Sequence, residues 1–205
     1  RTMNYSKLVS RKKLCLLVAA TCLATALMTS TLVQRVYAEV SPTEELAKMF
    51  EQDQKDRSAL DVKDPQPALW KTMSTHDKEH YNRVLALIQQ DKLASGDDFY
   101  YAAMIMQHGD KPKDYMLAHI LAMAAAQKGK EQAIWLSAAS FDRLMQSANQ
   151  PQVFGTQFYS EAKQPYVVRQ PMDLTLIGDS LRKAFHVPTV AENNERLKDL
   201  NSRTR

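Results

Sequence analysis

Five polar side chains near the end of one predicted helix have the chemistry of an acid–base or ligand-binding site. Asp142 and Arg143 close a helical pattern, and Gln152, Thr156 and Gln157 follow in the segment QVFGTQF. Asp142 lies seven residues after Trp135 and should face the packed side of its helix, where a carboxylate could act as a general base or orient an imidazole. The alternative, which we favour, is structural: Asp142 accepts hydrogen bonds from the extended backbone, and Arg143 caps the last carbonyls of the helix.

His108 is the second candidate for chemistry, at the end of a predicted apolar helix and directly before Gly109. It could transfer protons with Asp142 or bind a metal, although a lone histidine at a helix end is more often hydrogen-bonded and structural. Asp53 and Arg57 lie on the apolar stripe of the first helix, four residues apart. They are therefore expected to be buried and paired, or to line a cavity.

A third pattern is HDKEH, residues 76–80, which fits the H-x-x-E-H sequence of one class of zinc peptidase. His76 and His80 would share a helix face and bind zinc, and Glu79 would be the base. Charged helix starts also produce this pattern by accident. We therefore favour no metal site and no cofactor; the chain has neither Gly-Lys-Ser/Thr nor Gly-x-Ser-x-Gly.

The first 38 residues read as a secretory signal peptide. A basic stretch precedes the apolar run Leu14–Val33, and small residues precede a cleavage point after Ala38. An uncleaved membrane anchor over residues 14–33 is the alternative. Removing the six Lys/Arg of this segment from the total of 27 leaves 21 basic against 23 acidic residues, a net charge of −2. This balance does not support a basic nucleic-acid surface, and the remaining chain has no cysteine for disulfide or thiolate chemistry.

The elements that must position these residues are mainly helical. Ser41 and Glu44 are spaced as a capping box, and Pro42 suits the first helical position. The periodicity predicts antiparallel helical hairpins packed as one domain over 39–205, with Gly-marked turns. A linker is expected at 61–73, a second helix from about Ser74 to Lys92, and an extended flap or small β-hairpin within 149–173, near 152–171. One or two short helices, broken at Pro188, should end the chain.

The ordered combination of DQKDR, YYAAMIMQHG, SFDR and QPQVFGTQF resembles a bacterial family known only as a domain of unknown function. The resemblance covers about residues 50–198 and implies no activity. The helical hairpins are also loosely similar to tetratricopeptide-type repeats. The polar signature of the family falls here on ten residues: Asp56, Arg57, Gln107, His108, Asp142, Arg143, Gln152, Gly155, Thr156 and Gln157.

Together these patterns predict an exported periplasmic or secreted helical protein, whose leading function is to bind a small polar ligand, a peptide or an envelope protein. Contact with the membrane is expected only through an uncleaved signal segment. The alternatives are a hydrolase-like enzyme that uses His108, Asp142, Arg143 and Gln157, the zinc peptidase, and a purely structural envelope role.

Overall fold

The computed structural model describes residues 40–60, 66–159, 167–168 and 171–203. The predicted signal segment, residues 61–65 of the predicted linker, and residues 160–166 and 169–170 of the predicted flap lie outside these residues. The described chain is mainly helical, with one short antiparallel strand pair, as the sequence predicts. The elements in chain order are α1 (Pro42–Ser58), α2 (Pro67–Gln89), α3 (Gly96–Met106), α4 (Pro112–Gln127), α5 (Gln132–Ser147), β1 (Phe158–Tyr159), β2 (Val167–Val168), α6 (Asp179–Ala184) and α7 (Val190–Arg203).

Helix starts follow the local sequence signals with two differences. Ser41 caps α1 by accepting the amide hydrogen of Glu44, but the Glu44 carboxylate pairs with Lys48 in place of the Ser41 amide that a capping box requires. Helix α2 begins at Pro67, seven residues before the predicted Ser74, because proline is favoured in the first helical turn. The linker predicted at 61–73 is thus helical from residue 67 onward.

Successive helices pack on their neighbours in chain order. Helix α1 packs on α2 and α3, α3 packs on α4, and α4 packs on α5. The larger core lies among these helices and contains Leu46, Val84, Leu87, Met106 and Leu136. Alanines at the contact positions let helix backbones approach closely, as the Ala-rich sequence predicts.

A second, smaller core holds the segment after α5. Val153 and Phe154 pack with Ala138 of α5 and Val187, which follows α6. Strand β1 pairs with β2 in antiparallel register, with Phe158 opposite Val168, and the chain then continues into α6 and α7 on either side of Pro188. None of the described helices is both long and apolar enough to cross a membrane.

Candidate functional site

Asp142 is fully buried and is the anchor of the segment that follows α5. One carboxylate oxygen accepts the amide hydrogens of Val153 and Phe154, at 2.8 and 2.9 Å. The other accepts from the amide and the hydroxyl of Thr156, at 2.9 and 2.8 Å. Four hydrogen bonds occupy the carboxylate, so the structure supports the structural interpretation of Asp142 and not its use as a general base.

The two glutamines of this segment are joined to each other and to the backbone. The Gln152 side chain is fully buried; its amide donates to the Gln157 carbonyl, and its oxygen accepts the Gln157 amide hydrogen at 2.8 Å. The Gln157 side chain donates to the Thr156 hydroxyl at 2.9 Å. Gly155 has a positive φ of 66°, which a glycine adopts without strain. We call this set, Asp142, Gln152, Gly155, Thr156 and Gln157, the clasp.

Two residues that sequence reasoning missed complete the clasp from the C-terminal helices. Arg182 of α6 is almost fully buried and donates to the carbonyls of Phe154 and Pro188, at 2.6 and 2.8 Å. Asn193 of α7 donates to the Gly155 carbonyl at 3.2 Å. Arg182 lies between Leu181 and Lys183 in a short helix, and no local pattern indicates that it is buried.

A separate group of charged side chains lies where α1, α2 and the end of α3 meet. We call Asp53, Arg57, Asp77 and His108 the buried polar cluster. Arg57 pairs with Asp53, with 3.0 Å between Nη1 and Oδ1, and forms three hydrogen bonds of 3.1–3.2 Å with Asp77. His108 Nε2 lies 3.6 Å from Asp53 Oδ1, is buried, and has no hydrogen-bond partner. That distance is too long for a hydrogen bond.

Burial shifts Asp53 and His108 toward the uncharged form. It raises the pKa of Asp53 to about 6, against the opposing charge of Arg57. It also lowers the pKa of His108 to about 2, with further lowering by the positive charges of Arg57 and Arg143. The contact between His108 and Asp53 is therefore not an ion pair at neutral pH, because the imidazole is uncharged.

The predicted site residues therefore divide between two places. Arg57, His108 and Arg143 are close enough to interact electrostatically, whereas Asp142, Gln152, Thr156 and Gln157 belong to the clasp. Gln107 is buried, and its amide contacts the Met104 sulfur at 3.4 Å. Asp53 takes the position facing His108 that the sequence-based hypothesis gave to Asp142.

The HDKEH residues lie beside the polar cluster on α2. His76 Nδ1 is 2.6 Å from Asp56 Oδ2, and the His76 and His80 rings stack with centroids 6.0 Å apart. Hydrogen bonds from His76 and Gln52 lower the pKa of Asp56 even though burial opposes them. Glu79 is exposed. In the part of the chain that the structure describes, no group of three His, Cys, Asp or Glu side chains is placed to hold a metal ion.

One helix exposes an apolar stripe that the sequence analysis did not single out as a site. Met116, Ile120 and Met123 of α4 are 48, 55 and 45% exposed. Their spacing of four and three residues places them on one side of the helix. Trp135 of α5 is 38% exposed. We call Met116, Ile120 and Met123 the α4 face; the opposite side of α4 is buried against α3 and α5.

Comparison with known proteins does not supply a function. No family model, no curated protein and no solved structure matches the chain. The similarity to a family of unknown function remains a prediction, and the functional argument is made from the residues themselves.

Proposed function

We propose that this is an exported protein of the bacterial envelope that binds a partner protein through the α4 face. The observation that carries the proposal is the row of three large apolar side chains exposed on one side of α4. Contiguous exposed apolar surface is uncommon on soluble proteins and marks interaction sites. The predicted signal peptide supports the envelope location.

The shape of the α4 face favours a helical partner. Helix α4 has 16 residues and is about 24 Å long at 1.5 Å per residue. Side chains at positions i, i+4 and i+7 form a ridge that packs against the same spacing on a second helix. The two methionines adapt to different partner side chains, because their chains are flexible and unbranched.

Charge at the two ends of α4 favours a partner with acidic ends. Lys111 and Lys113 lie at the N-terminal end, and Lys128 follows the C-terminal end; all three are exposed, and they outnumber the two exposed carboxylates beside these ends, Asp110 and Glu131. A second copy docked antiparallel about Ile120 would bring lysines of one end close to Lys128 of the other copy. Like charges disfavour that arrangement, so we assign the face to an amphipathic helix of another protein that carries carboxylates at both ends.

Tryptophan fluorescence tests this proposal with designed peptides. The probe is a helical peptide with leucines at i, i+4 and i+7 and glutamates at both ends; the matched peptide has lysines at the ends. The chain has two tryptophans, so a Trp70→Phe background leaves Trp135 as the reporter. We expect the acidic peptide to shift the emission of Trp135 and to bind on the order of tenfold more tightly than the basic one, because several surface charge pairs change sign.

Substitution of the face supplies the control. Ile120→Glu should abolish binding, whereas Leu176→Glu, at a residue 62% exposed outside the face, should leave it unchanged. Equal binding by these two variants would refute the proposal. Self-association that Ile120→Glu abolishes would assign the face to a second copy, and binding to anionic vesicles in place of the peptide would assign it to a membrane; either result would make the proposed partner wrong.

A further inference from the structure

We propose that Met116 and Met123 are sites of reversible oxidation to methionine sulfoxide by hydrogen peroxide, and that this oxidation releases the helical partner from the α4 face. The inference rests on the proposed function, because it concerns the regulation of that same surface. A chain exported as proposed lies outside the reducing cytosol, where oxidants reach exposed side chains.

Exposure separates these two methionines from the others. Among the residues that the structure describes, Met116 and Met123 are the only exposed methionines. Met49 and Met106 are buried in the larger core. The oxidant must reach the sulfur atom, so the reaction is fastest at exposed side chains. The two sulfurs that peroxide reaches most readily are therefore both on the α4 face.

Neighbouring groups further protect methionines that are only half-buried. The Met104 sulfur accepts a contact from the Gln107 amide, and the Met172 sulfur accepts one from the Arg182 guanidinium, each at 3.4 Å. A donor at this position occupies a sulfur lone pair, which is the group that attacks the oxidant. Met145 packs against the smaller core. These contacts increase the preference for the α4 face.

The reaction balances with hydrogen peroxide alone. The sulfur lone pair attacks one peroxide oxygen, the sulfur–oxygen bond forms, and the oxygen–oxygen bond breaks. The other oxygen leaves as water after a proton moves to it. Sulfur loses two electrons and peroxide gains them. The product is a polar side chain, which methionine sulfoxide reductases return to the thioether.

Sulfoxides at these two positions make both ends of the α4 face polar. Met116 and Met123 lie on either side of Ile120, which peroxide does not change, along one side of the helix. A partner leucine that packs on a sulfoxide buries its oxygen without a hydrogen-bond donor. We expect the oxidised protein to bind the partner roughly tenfold or more weakly, because a buried polar group without a partner costs at least this factor.

Limited treatment with hydrogen peroxide tests the proposal through two measurements. Mass spectrometry of proteolytic peptides measures the sulfoxide at each methionine, and we expect at least about fivefold more at Met116 and Met123 than at the buried Met49 and Met106. After removal of the peroxide, binding of the acidic leucine peptide is measured by Trp135 fluorescence in the Trp70→Phe background. The affinity should fall by the stated factor and return after treatment with the reductases for both sulfoxide epimers.

Two variants make the test specific to the α4 face. The measured quantity is the ratio of affinities before and after peroxide, so the starting affinity of a variant does not matter. Peroxide should leave the affinity of the double variant Met116→Leu, Met123→Leu unchanged. Met73→Leu, which removes a half-buried methionine of α2, should keep the ratio of the unsubstituted protein.

The outcomes distinguish this proposal from the proposed function. Equal sulfoxide formation at exposed and buried methionines, or the same loss of affinity in the double variant, would overturn the oxidation proposal. Failure of the untreated protein to bind the peptide would refute the proposed function, and the regulation of binding with it. The sulfoxide pattern would then still decide whether Met116 and Met123 are the preferred sites of modification.

Discussion

Asp53 and His108 make a specific prediction about how folding stability depends on pH. Each is shifted in the folded protein, Asp53 from 3.8 to a pKa of about 6 and His108 from 6.5 to a pKa of about 2. When the pH is lowered, the shift of Asp53 stabilises the folded protein, whereas the shift of His108 destabilises it. The test removes one group at a time, with the variants His108→Gln and Asp53→Asn. The unfolding free energy of each variant is then compared between pH 7 and pH 5.

For Asp53, the folded chain binds a proton between about pH 6 and pH 4 that the unfolded chain does not. Acidification therefore stabilises the fold through this group, by up to about 1.4 kcal/mol per pH unit. From pH 7 to pH 5 the gain is about 1.3 kcal/mol, since about one pH unit of that window, from pH 6 to pH 5, lies within the interval. In the His108→Gln variant, only this contribution of Asp53 remains.

For His108, the unfolded chain binds a proton below about pH 6.5, whereas the folded chain remains unprotonated down to about pH 2. Acidification therefore destabilises the fold through this group, by about 2 kcal/mol between pH 7 and pH 5. In the Asp53→Asn variant, only this contribution of His108 remains. In the unsubstituted protein the two contributions nearly cancel. Acidification from pH 7 to pH 5 should therefore lower the unfolding free energy through this pair by less than about 1 kcal/mol.

Urea unfolding, monitored by tryptophan fluorescence at both pH values, measures these differences. Other groups, such as Glu45 and Asp98 with their lowered pKa values, affect all three proteins equally and cancel in the comparison. On going from pH 7 to pH 5, the change in unfolding free energy of His108→Gln should exceed that of Asp53→Asn by about 3 kcal/mol. The same change in both variants would show that neither pKa is shifted as the buried geometry implies, and the reasoning would be wrong.

Three further substitutions test the packing around the sites, each by its effect on the unfolding free energy. Asp142→Ala leaves three amide hydrogens, two of them buried, without their acceptor and should cost at least about 3 kcal/mol; a cost below about 1 kcal/mol would contradict the structural role. Gly155→Ala adds a methyl group 2.5 Å from a methionine sulfur, whereas Gly129→Ala, also at positive φ, meets nothing within 4 Å, so the first should cost about 1–2 kcal/mol more than the second. Tyr81→Phe removes a 2.7 Å hydrogen bond to the buried Asp114 and should cost about 1–2 kcal/mol; an unchanged midpoint would show that water replaces the hydroxyl.

Much of the fold could be predicted because its signals are local. Ser41 with Pro42 marks the start of α1, and Pro188 separates α6 from α7, as predicted. The start of α2 was placed too late because Asp, Pro and Gln suggest a linker, although a proline at the first helical position is compatible with a helix.

The candidate site was harder to predict, because burial alone does not say which partner a polar residue meets. Helical spacing correctly placed Asp142 and Asp53 on packed faces. It could not show that the Asp142 carboxylate accepts hydrogen bonds from the segment after α5, or that Asp53 approaches His108. Arg182 was missed entirely, since a single arginine in a polar helix has no local sign of burial.

The sequence by itself determined the helices, their caps, and the polar residues that must be buried, because helical periodicity and capping depend on residues within about one turn of each other. Only the tertiary structure decided that these polar residues separate into the clasp and the buried polar cluster. Only it showed that α4 keeps Met116, Ile120 and Met123 exposed. Both outcomes depend on contacts between distant parts of the chain, where the packing of α3 and α5 on α4 selects which side of that helix is covered.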